Sequence, residues 1–289
     1  MVRVLEPSET ATIKAGTLYL ENAFWLRALK PNSGFGREGA VWENKPRICC
    51  HPIAKGKNMK IIWLGHAGFR IEIEDQVLLI DPWLEGNPMF PEARREEAIG
   101  GATHILISHA HSDHTGGVVE IAQELGIPVV GIYDLMSWWS AQHGVDIVGF
   151  NRGGTVALGG VSVTMVAASH SSSLPSDDGP VYGGNEAGFM ISGEGHTIYF
   201  SGDTDVMADM EIFADLHAPD IGIMSAGGHF TMDMKRAAYA ANRFFDFKIL
   251  IPCHYRTFPL LEQSAEALVE ALPDVEVVQP EVLTAIVID

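Results

Sequence analysis

The chain has 289 residues, of which 47% are hydrophobic and 19% are charged. These are values of a globular protein that can bury a core, and no stretch reaches the ~20 continuous apolar residues of a bilayer span. Nineteen basic against 37 acidic residues give a net charge of −18, which argues against nucleic acid as a partner because the phosphate backbone is also negative. Three cysteines are too few for a disulfide framework, and the N-terminus lacks a signal-peptide pattern. We therefore expect a reduced, cytoplasmic protein without a membrane partner.

The first 58 residues differ from the rest of the chain in charge and pattern. They carry a net charge of +4, against −22 for residues 59–289, and they show no sustained period of 2 or 3.6 residues. One interpretation is an N-terminal appendage, residues 1–58, outside a folded domain of residues 59–289. The alternative is an arm that packs on this domain through its apolar residues Phe24, Trp25, Leu26 and Leu29.

From residue 59 onward the pattern predicts strands first and then strands that alternate with helices. Apolar and β-branched residues predict the strands Lys60–Leu64 and Phe69–Ile80, the second folded around a turn at Asp75 and Gln76. The further predicted elements are, in chain order, strand His104–Ser108, helix Gly116–Leu125, strand Pro128–Ile132, helix Asp134–His143, strands Val161–Ala168 and His196–Ser201, helix Asp205–Leu216, strand Asp220–Ser225, helix Lys235–Phe245, strand Lys248–Pro252 and helix Leu260–Leu272. This mixture predicts two sheets with helices outside them, in a layered α/β or α+β domain.

A cluster of histidines follows the strand predicted to end at Ser108. Residues 108–117 read S-H-A-H-S-D-H-T-G-G, with three histidines and one aspartate within six residues: His109, His111, Asp113 and His114. A tight turn would direct the first two toward one metal ion and the last two toward a second. Imidazole and carboxylate are ligands that borderline metals prefer, so this cluster favours a metal site over ordinary turn and surface residues.

Three more candidate ligands stand at the ends of predicted strands further along the chain. His170 follows Ala167-Ala168-Ser169, Asp203 follows Ser201-Gly202, and His254 follows Pro252-Cys253. Any one of them alone would more often be a capping or hydrogen-bonding residue. Three at equivalent positions, after a cluster of metal-ligand type, indicate that they complete the site.

The order of these residues resembles the ligand set of the metallo-β-lactamase superfamily: H-x-H-x-D-H, then a histidine, then Gly-Asp-Thr, then a histidine. The resemblance implies a four-layer αββα sandwich. It also implies two divalent metal ions, with His109, His111 and His170 on the first, Asp113, His114 and His254 on the second, and Asp203 bridging them. Zinc fits these ligand types, although manganese, iron and nickel fit them too.

Further motifs narrow the resemblance to a branch of bacterial and archaeal metal-dependent hydrolases related to ascorbate-6-phosphate lactonase. The motifs are Trp63–Phe69 (W-L-G-H-A-G-F), Ile80–Trp83 (I-D-P-W), Gly183–Phe189 (G-G-N-E-A-G-F), Gly227–Met232 (G-G-H-F-T-M) and His254–Pro259 (H-Y-R-T-F-P). The likeness covers residue 59 to the C-terminus. It leaves the substrate open, because one fold and one metal pair serve many reactions.

The ligand set implies a hydrolase in which a hydroxide held between two metal ions cleaves a small ester, lactone or phosphodiester. Two alternatives stay open: a mononuclear iron oxygenase of the same fold, and a metal-binding scaffold without activity. The expected partner is therefore a small-molecule substrate, and the sequence leaves homo-oligomerisation open.

Other residues beside these motifs are candidates for supporting roles. Asp81 is expected either to brace the ligand loop or to cap the turn before Pro82. His66 and His229, both next to glycines, are expected to line the pocket and to assist proton transfer or bind substrate, or else to be satisfied locally. The candidate catalytic residues are thus Asp113, Asp203, His66 and His229. Tyr255 and Arg256, which follow a predicted ligand, are candidates to meet an anionic substrate, while Arg256 is equally expected to pair with one of the many carboxylates.

Overall fold

The computed structural model describes residues 58–289, a range that contains the predicted domain of residues 59–289. The predicted appendage of residues 1–58 lies outside the described residues, except for Asn58. Within the described range no helix has the length and apolarity needed to cross a bilayer.

The described residues form two seven-stranded sheets and one short hairpin. The first sheet contains β1 (Met59–Gly65), β2 (Gly68–Ile73), β3 (Gln76–Ile80), β4 (His104–Ile107), β5 (Val129–Ile132), β6 (Ile147–Phe150) and β16 (Ala285–Ile288). The second contains β7 (Thr155–Leu158), β8 (Val161–Ala167), β11 (Ala187–Gly193), β12 (His196–Phe200), β13 (Ile221–Ser225), β14 (Ile249–Cys253) and β15 (Glu276–Val277). The hairpin pairs β9 (Ser173–Leu174) with β10 (Val181–Tyr182).

Within residues 58–289, seven helices connect these strands. They are α1 (Arg95–Ile99), α2 (Ser112–Thr115), α3 (Val118–Leu125), α4 (Tyr133–His143), α5 (Asp209–His217), α6 (Met234–Phe244) and α7 (Glu266–Ala271), with a 3₁₀ turn at Glu92–Arg94. Helix α6 shows why such a segment is helical: the Asp233 side chain accepts a hydrogen bond from the backbone N–H of Arg236, which caps the helix start. Its alanines form a narrow buried face that packs against β13.

Each sheet is antiparallel on one side and parallel on the other. The strand orders are β16-β1-β2-β3-β4-β5-β6 and β15-β14-β13-β12-β11-β8-β7. Strands β3 to β6 of the first sheet are parallel, as are β12 to β15 of the second. Because β1 and β8 run in the same direction as the parallel strands of their own sheets, their carboxyl ends lie at the same sheet edge.

The core lies between the two sheets. The rings of Phe69 on β2 and Phe200 on β12 are 6.2 Å apart, and those of Phe150 on β6 and Phe189 on β11 are 6.4 Å apart. Helix α4 covers the outer face of β5 and β6, while α6 covers the second sheet. Helices thus flank two packed sheets, and the predicted αββα fold class is confirmed.

Two predicted helices begin four or more residues later in the structure. The predicted helix Leu260–Leu272 begins only at Glu266, because the backbone of Glu262 pairs with Arg256 and Gly227 and is not free to form helical hydrogen bonds. The predicted helix Asp205–Leu216 begins at Asp209.

Several strands were not predicted: β6, β7, β9, β10, β11, β15 and β16. In β11, residues 187–191 are all buried, so the alternation of apolar and polar residues that signals a strand is absent.

Candidate metal centre

The predicted ligands stand at one edge of the two sheets, just beyond the strand ends. His109 and His111 follow β4, and the short helix α2 carries Asp113 and His114. The other predicted ligands follow strands of the second sheet, His170 after β8, Asp203 after β12 and His254 after β14. The hydrogen-bonding pattern of the strands therefore brings residues up to 145 positions apart in the chain to one place.

Among the described residues, three groups of possible ligand atoms form at this edge; the third, Asp81, His109 and His114, shares its histidines with the other two. The first joins His109, His111 and His170, whose ligand atoms all lie within 4.8 Å of one another. The Nε2 atom of His109 is 2.9 Å from the Nδ1 atom of His111. Three imidazoles directed at a common point are an arrangement that suits one divalent ion.

The second group joins His66, Asp113, His114 and His254, again with ligand atoms within 4.8 Å of one another. The Oδ2 atom of Asp113 is 3.1 Å from His66 Nε2 and 3.8 Å from His254 Nε2. This group contains the three residues expected on a second ion, and it also contains His66, which the sequence motif placed near the pocket.

Asp203 lies between the first and second groups. Its Oδ2 atom is 3.0 Å from His254 Nε2, 3.3 Å from His114 Nε2 and 3.6 Å from His170 Nε2. One carboxylate oxygen thus faces imidazoles of both groups.

Unpaired polar atoms in the cluster show that these residues fit a cation. Asp203 is only 2% exposed, yet its Oδ1 atom has no hydrogen-bond partner, and the same holds for His114 Nε2 and His254 Nε2 within the described part of the chain. Buried polar atoms without partners are costly unless another group satisfies them. Divalent ions among these imidazole and carboxylate atoms would provide that partner.

Asp81 holds two of the histidines in the orientation that a metal ligand needs. Its Oδ2 atom accepts hydrogen bonds from His114 Nδ1 at 2.8 Å and from the Ser108 hydroxyl at 2.5 Å. The Ser108 oxygen in turn accepts from His109 Nδ1 at 3.0 Å. With their Nδ1 atoms used as donors, His109 and His114 present Nε2 toward the cluster. Asp81 therefore braces the ligand loop, as one of the two sequence interpretations expects.

The backbone at this edge is strained at three residues. Asp81, His66 and His254 have φ angles of 45°, 52° and 58°, in the left-handed region that residues with a side chain seldom occupy. The His254 N–H donates to the His66 carbonyl oxygen at 2.9 Å, which links two of these residues across the sheets. The surrounding structure stabilises these strained backbone conformations, which direct the three side chains into the centre.

Electrostatics keep the two carboxylates ionised. Burial raises the pKa of Asp203, but the charges of His254 and His114 outweigh this and hold it well below the usual value. Burial also raises the pKa of the Asp113 carboxyl, but the hydrogen bond from His66 and the charge of His114 lower this pKa well below its usual range. Both side chains are therefore available as anionic ligands at neutral pH.

His66 belongs to the second group, yet it is not among the residues that line the cavity above the cluster. It is fully buried, with Nδ1 2.8 Å from the Thr257 hydroxyl and Nε2 3.1 Å from Asp113 Oδ2. Burial and the nearby His254 lower its pKa to about 4. Thr257 was not singled out from the sequence, although it belongs to the same motif as His254.

The structure places the remaining candidates away from the cluster. His229 is exposed in the loop after β13 and lines a separate polar cavity of about 430 Å³ together with Arg236. Tyr255 is buried against Trp63, with ring centroids 5.7 Å apart. Arg256 lies over the same Trp63 ring and 3.5 Å from Glu281.

A cavity of about 780 Å³ opens above the cluster. Its floor is formed by residues of the two groups and by the bridging carboxylate, namely His111, Asp113, His170, Asp203 and His254. A small molecule in this cavity would therefore contact the predicted ligands directly.

Comparisons with known proteins agree with this architecture. The family model described as the β-lactamase superfamily domain matches residues 76–255. A UPF0173 metal-dependent hydrolase of Cereibacter sphaeroides is 68% identical over 228 residues, which are 79% of this chain and 99% of that protein. A relative of the same description from Ruegeria pomeroyi is 60% identical with the same coverage.

A solved structure supports the same assignment. Igni18, a metallo hydrolase of the archaeon Ignicoccus hospitalis, superposes with a TM-score of 0.71 at 27% identity, over 81% of this chain and 99% of its own. These matches confirm the predicted fold, superfamily and enzyme class. The chain belongs to the β-lactamase superfamily and, within it, to the UPF0173 metal-dependent hydrolases.

Proposed function

We propose that this protein hydrolyses a small ester, lactone or phosphodiester at a centre of two divalent metal ions. The observation that carries the proposal is the position of Asp203, whose Oδ2 atom faces His170 of one group and His114 and His254 of the other. A buried carboxylate between two sets of imidazoles suits a bridging ligand better than a ligand of a single ion.

Seven side chains would hold the ions: His109, His111 and His170 on the first, Asp113, His114 and His254 on the second, and Asp203 on both. Five imidazoles and two carboxylates suit zinc, and they also suit manganese, iron or nickel. When bound, the ions would lower the pKa of water to about 7 and stabilise the negative charge that develops on the substrate oxygen.

The protein's own residues prepare the site for this reaction. Asp81 and Ser108 fix the orientation of the ligand loop, and His66 holds the Asp113 carboxylate through its Nε2 atom. In hydrolysis the oxygen of water bonds to the acyl carbon or phosphorus, and the bond to the leaving oxygen breaks. One proton of the water ends on the leaving oxygen and the other passes to solvent through the open cavity.

The test is a substrate panel with metal counted on the same sample. Metal-loaded protein is incubated with lactones, esters, thioesters and phosphodiesters, and a chelator-treated sample is the control. We expect turnover of at least one class, lost on chelation and restored by added divalent metal. One iron per chain without hydrolysis would favour the oxygenase interpretation, whereas two ions per chain without turnover of any class would favour the scaffold.

A further inference from the structure

The walls of the cavity above the cluster are largely apolar. Apart from the predicted ligands, it is lined by six apolar side chains, four serines and one glycine: Trp83, Leu174, Pro175, Pro180, Phe230 and Phe258, then Ser112, Ser171, Ser173 and Ser176, and Gly179. Three of the apolar side chains belong to the hairpin β9–β10 and its loop, which form one wall. Such surface favours a substrate whose body is apolar.

Two aromatic rings of the wall stand immediately beside the cluster. The Trp83 and Phe258 rings lie 6.1 Å apart, and each packs on the ring of His66, at 5.4 and 5.7 Å. Gly116 permits this placement, because a Cβ atom there would be 2.8 Å from Trp83 Cδ1. His66 in turn contacts the predicted ligand Asp113. Only the His66 side chain therefore separates the apolar wall from the proposed reaction centre.

The cavity offers no positive side chain to a charged substituent. None of the described residues that line it is Lys or Arg. Arg236 lines the neighbouring polar cavity and is paired with both oxygens of Asp205, at 2.6 and 2.7 Å. Arg256 is directed to Glu281. A negative group away from the metal ions would therefore lose hydration without gaining a cationic partner, which is costly even where a serine hydroxyl donates to it.

We infer that the substrate is an ester or lactone whose arm is uncharged and apolar, with the reacting carbonyl at the metal cluster and the arm against Trp83, Phe258 and the hairpin wall. This inference rests on the proposed hydrolytic function and narrows its substrate class. The inferred substrate has an uncharged arm, whereas the position of Arg256 in the sequence suggested an anionic substrate.

Matched substrates that differ only at the tip of the arm test the inference. The pairs are methyl hexanoate with monomethyl adipate, and γ-octalactone with the analogue that ends in a carboxylate. In each pair the reacting ester group is the same, and the two members differ only at the far end of the arm. For metal-loaded protein we expect kcat/KM to be at least tenfold higher for the uncharged member. Equal values, or a preference for the carboxylate, would overturn the inference.

A charge placed in the wall should reverse this preference. Leu174→Lys adds a cation to the hairpin wall without altering a predicted ligand, and Leu174→Met is the uncharged control of similar length. We expect the Lys variant to shift the ratio of kcat/KM at least tenfold toward the carboxylate substrate, while the Met variant keeps the wild-type ratio. Metal content shows whether either variant has kept its fold. An unchanged ratio in a metal-loaded Lys variant would contradict the position of the arm.

Binding of a ketone that cannot be hydrolysed separates this inference from the proposed function. Calorimetry compares 2-octanone with 7-oxooctanoate, which again differ only in the terminal carboxylate. Tighter binding of 2-octanone, together with no hydrolysis of any substrate, would reject the function and keep the apolar arm site. Hydrolysis with tighter binding of 7-oxooctanoate would keep the function and reject the arm site.

Discussion

Asp203 lies among histidines of both ligand groups, and other side chains support two of the ligands from behind. Asp203 reaches both ligand groups, Asp81 fixes His114 from behind, and His66 does the same for Asp113. The ligands are thus held in place by residues that do not themselves need to contact a metal ion. Changing a ligand and changing a supporting residue should therefore have different effects.

His66→Ala and His114→Ala separate these two roles. We expect His114→Ala to lose the second ion, because it removes one ligand and leaves Asp203 with fewer partners. His66→Ala should keep two ions per chain and lower turnover by roughly tenfold, since Asp113 loses the contact that fixes it. Metal analysis after gel filtration and kinetics on the same samples make the comparison. Equal loss of metal in both variants would identify His66 as a ligand.

Metal binding should release a proton from His114. Burial lowers the pKa of this imidazole, but the charges of Asp203 and Asp81 raise it well above 6.5, so the metal-free protein keeps it protonated at pH 7. By contrast, burial lowers the pKa of His109, His111 and His170, and these are already neutral. Affinity should therefore rise with pH, by about tenfold per unit, until the pKa of His114 is passed.

Calorimetry of metal binding at pH 7 in two buffers of different ionisation enthalpy measures this proton directly. We expect the wild type to release about one proton per chain more than His114→Ala does. Identical heats in the two buffers would show that His114 is neutral before the metal binds.

At the scale of the elements, the site depends on strands that stop at the same edge and on turns that leave them sharply. Gly202 is the clearest case: its φ angle is 60°, and a Cβ atom there would be 2.3 Å from the carbonyl oxygen of Ala187. This close approach lets Asp203 follow β12 directly. The Asp203 side chain therefore depends on the absence of a side chain at the residue before it.

Gly202→Ala should destabilise the protein far more than Gly126→Ala, although the two glycines have nearly the same φ angle, 60° and 63°. At Gly126 nothing lies within 4 Å of an added Cβ, so the cost is about 1 kcal/mol of left-handed strain. At Gly202 the contact with the backbone adds to this strain, for about 3 kcal/mol or more in the free energy of unfolding. Urea unfolding of both variants measures the difference in the free energy of unfolding. Equal losses of stability would show that β11 moves away from the added Cβ atom without cost.

The sequence predicted the parts of the site that are local in the chain. His109 to His114 share one short loop, and each later ligand follows an apolar strand, so spacing and strand ends were enough to propose them. Contacts made by folding were not accessible in this way. That Thr257 would contact His66, or that His229 would face a different cavity from Asp203, depends on how loops from distant strands meet.

The predicted elements follow the same division. Strands with a clear pattern, such as β1 and β14, were placed correctly because apolar residues mark them. Strand β16 was missed, since it is short and is held by pairing with β1 at the other end of the domain. Long-range pairing of this kind leaves little trace in local sequence.

At the scale of the whole molecule, we propose that residues 59–289 fold and bind metal without the segment that precedes them. The relatives from C. sphaeroides and R. pomeroyi are matched over 99% of their length by 228 residues of this chain. A chain that starts at Met59 should therefore be soluble, with the metal content and unfolding midpoint of the full chain. An insoluble or metal-free truncation would show that the first 58 residues belong to the core.

We propose that Asp203 bridges a pair of metal ions, and the number of ions bound per chain distinguishes this centre from a site for one ion. Metal-free protein is titrated with zinc, and the bound metal per chain is counted at saturation. We predict two ions per chain in the wild type and weakened binding of the second in Asp203→Ala, because without this carboxylate two cations roughly 3.5 to 4 Å apart repel each other. Saturation of the wild type at one ion per chain would contradict the account.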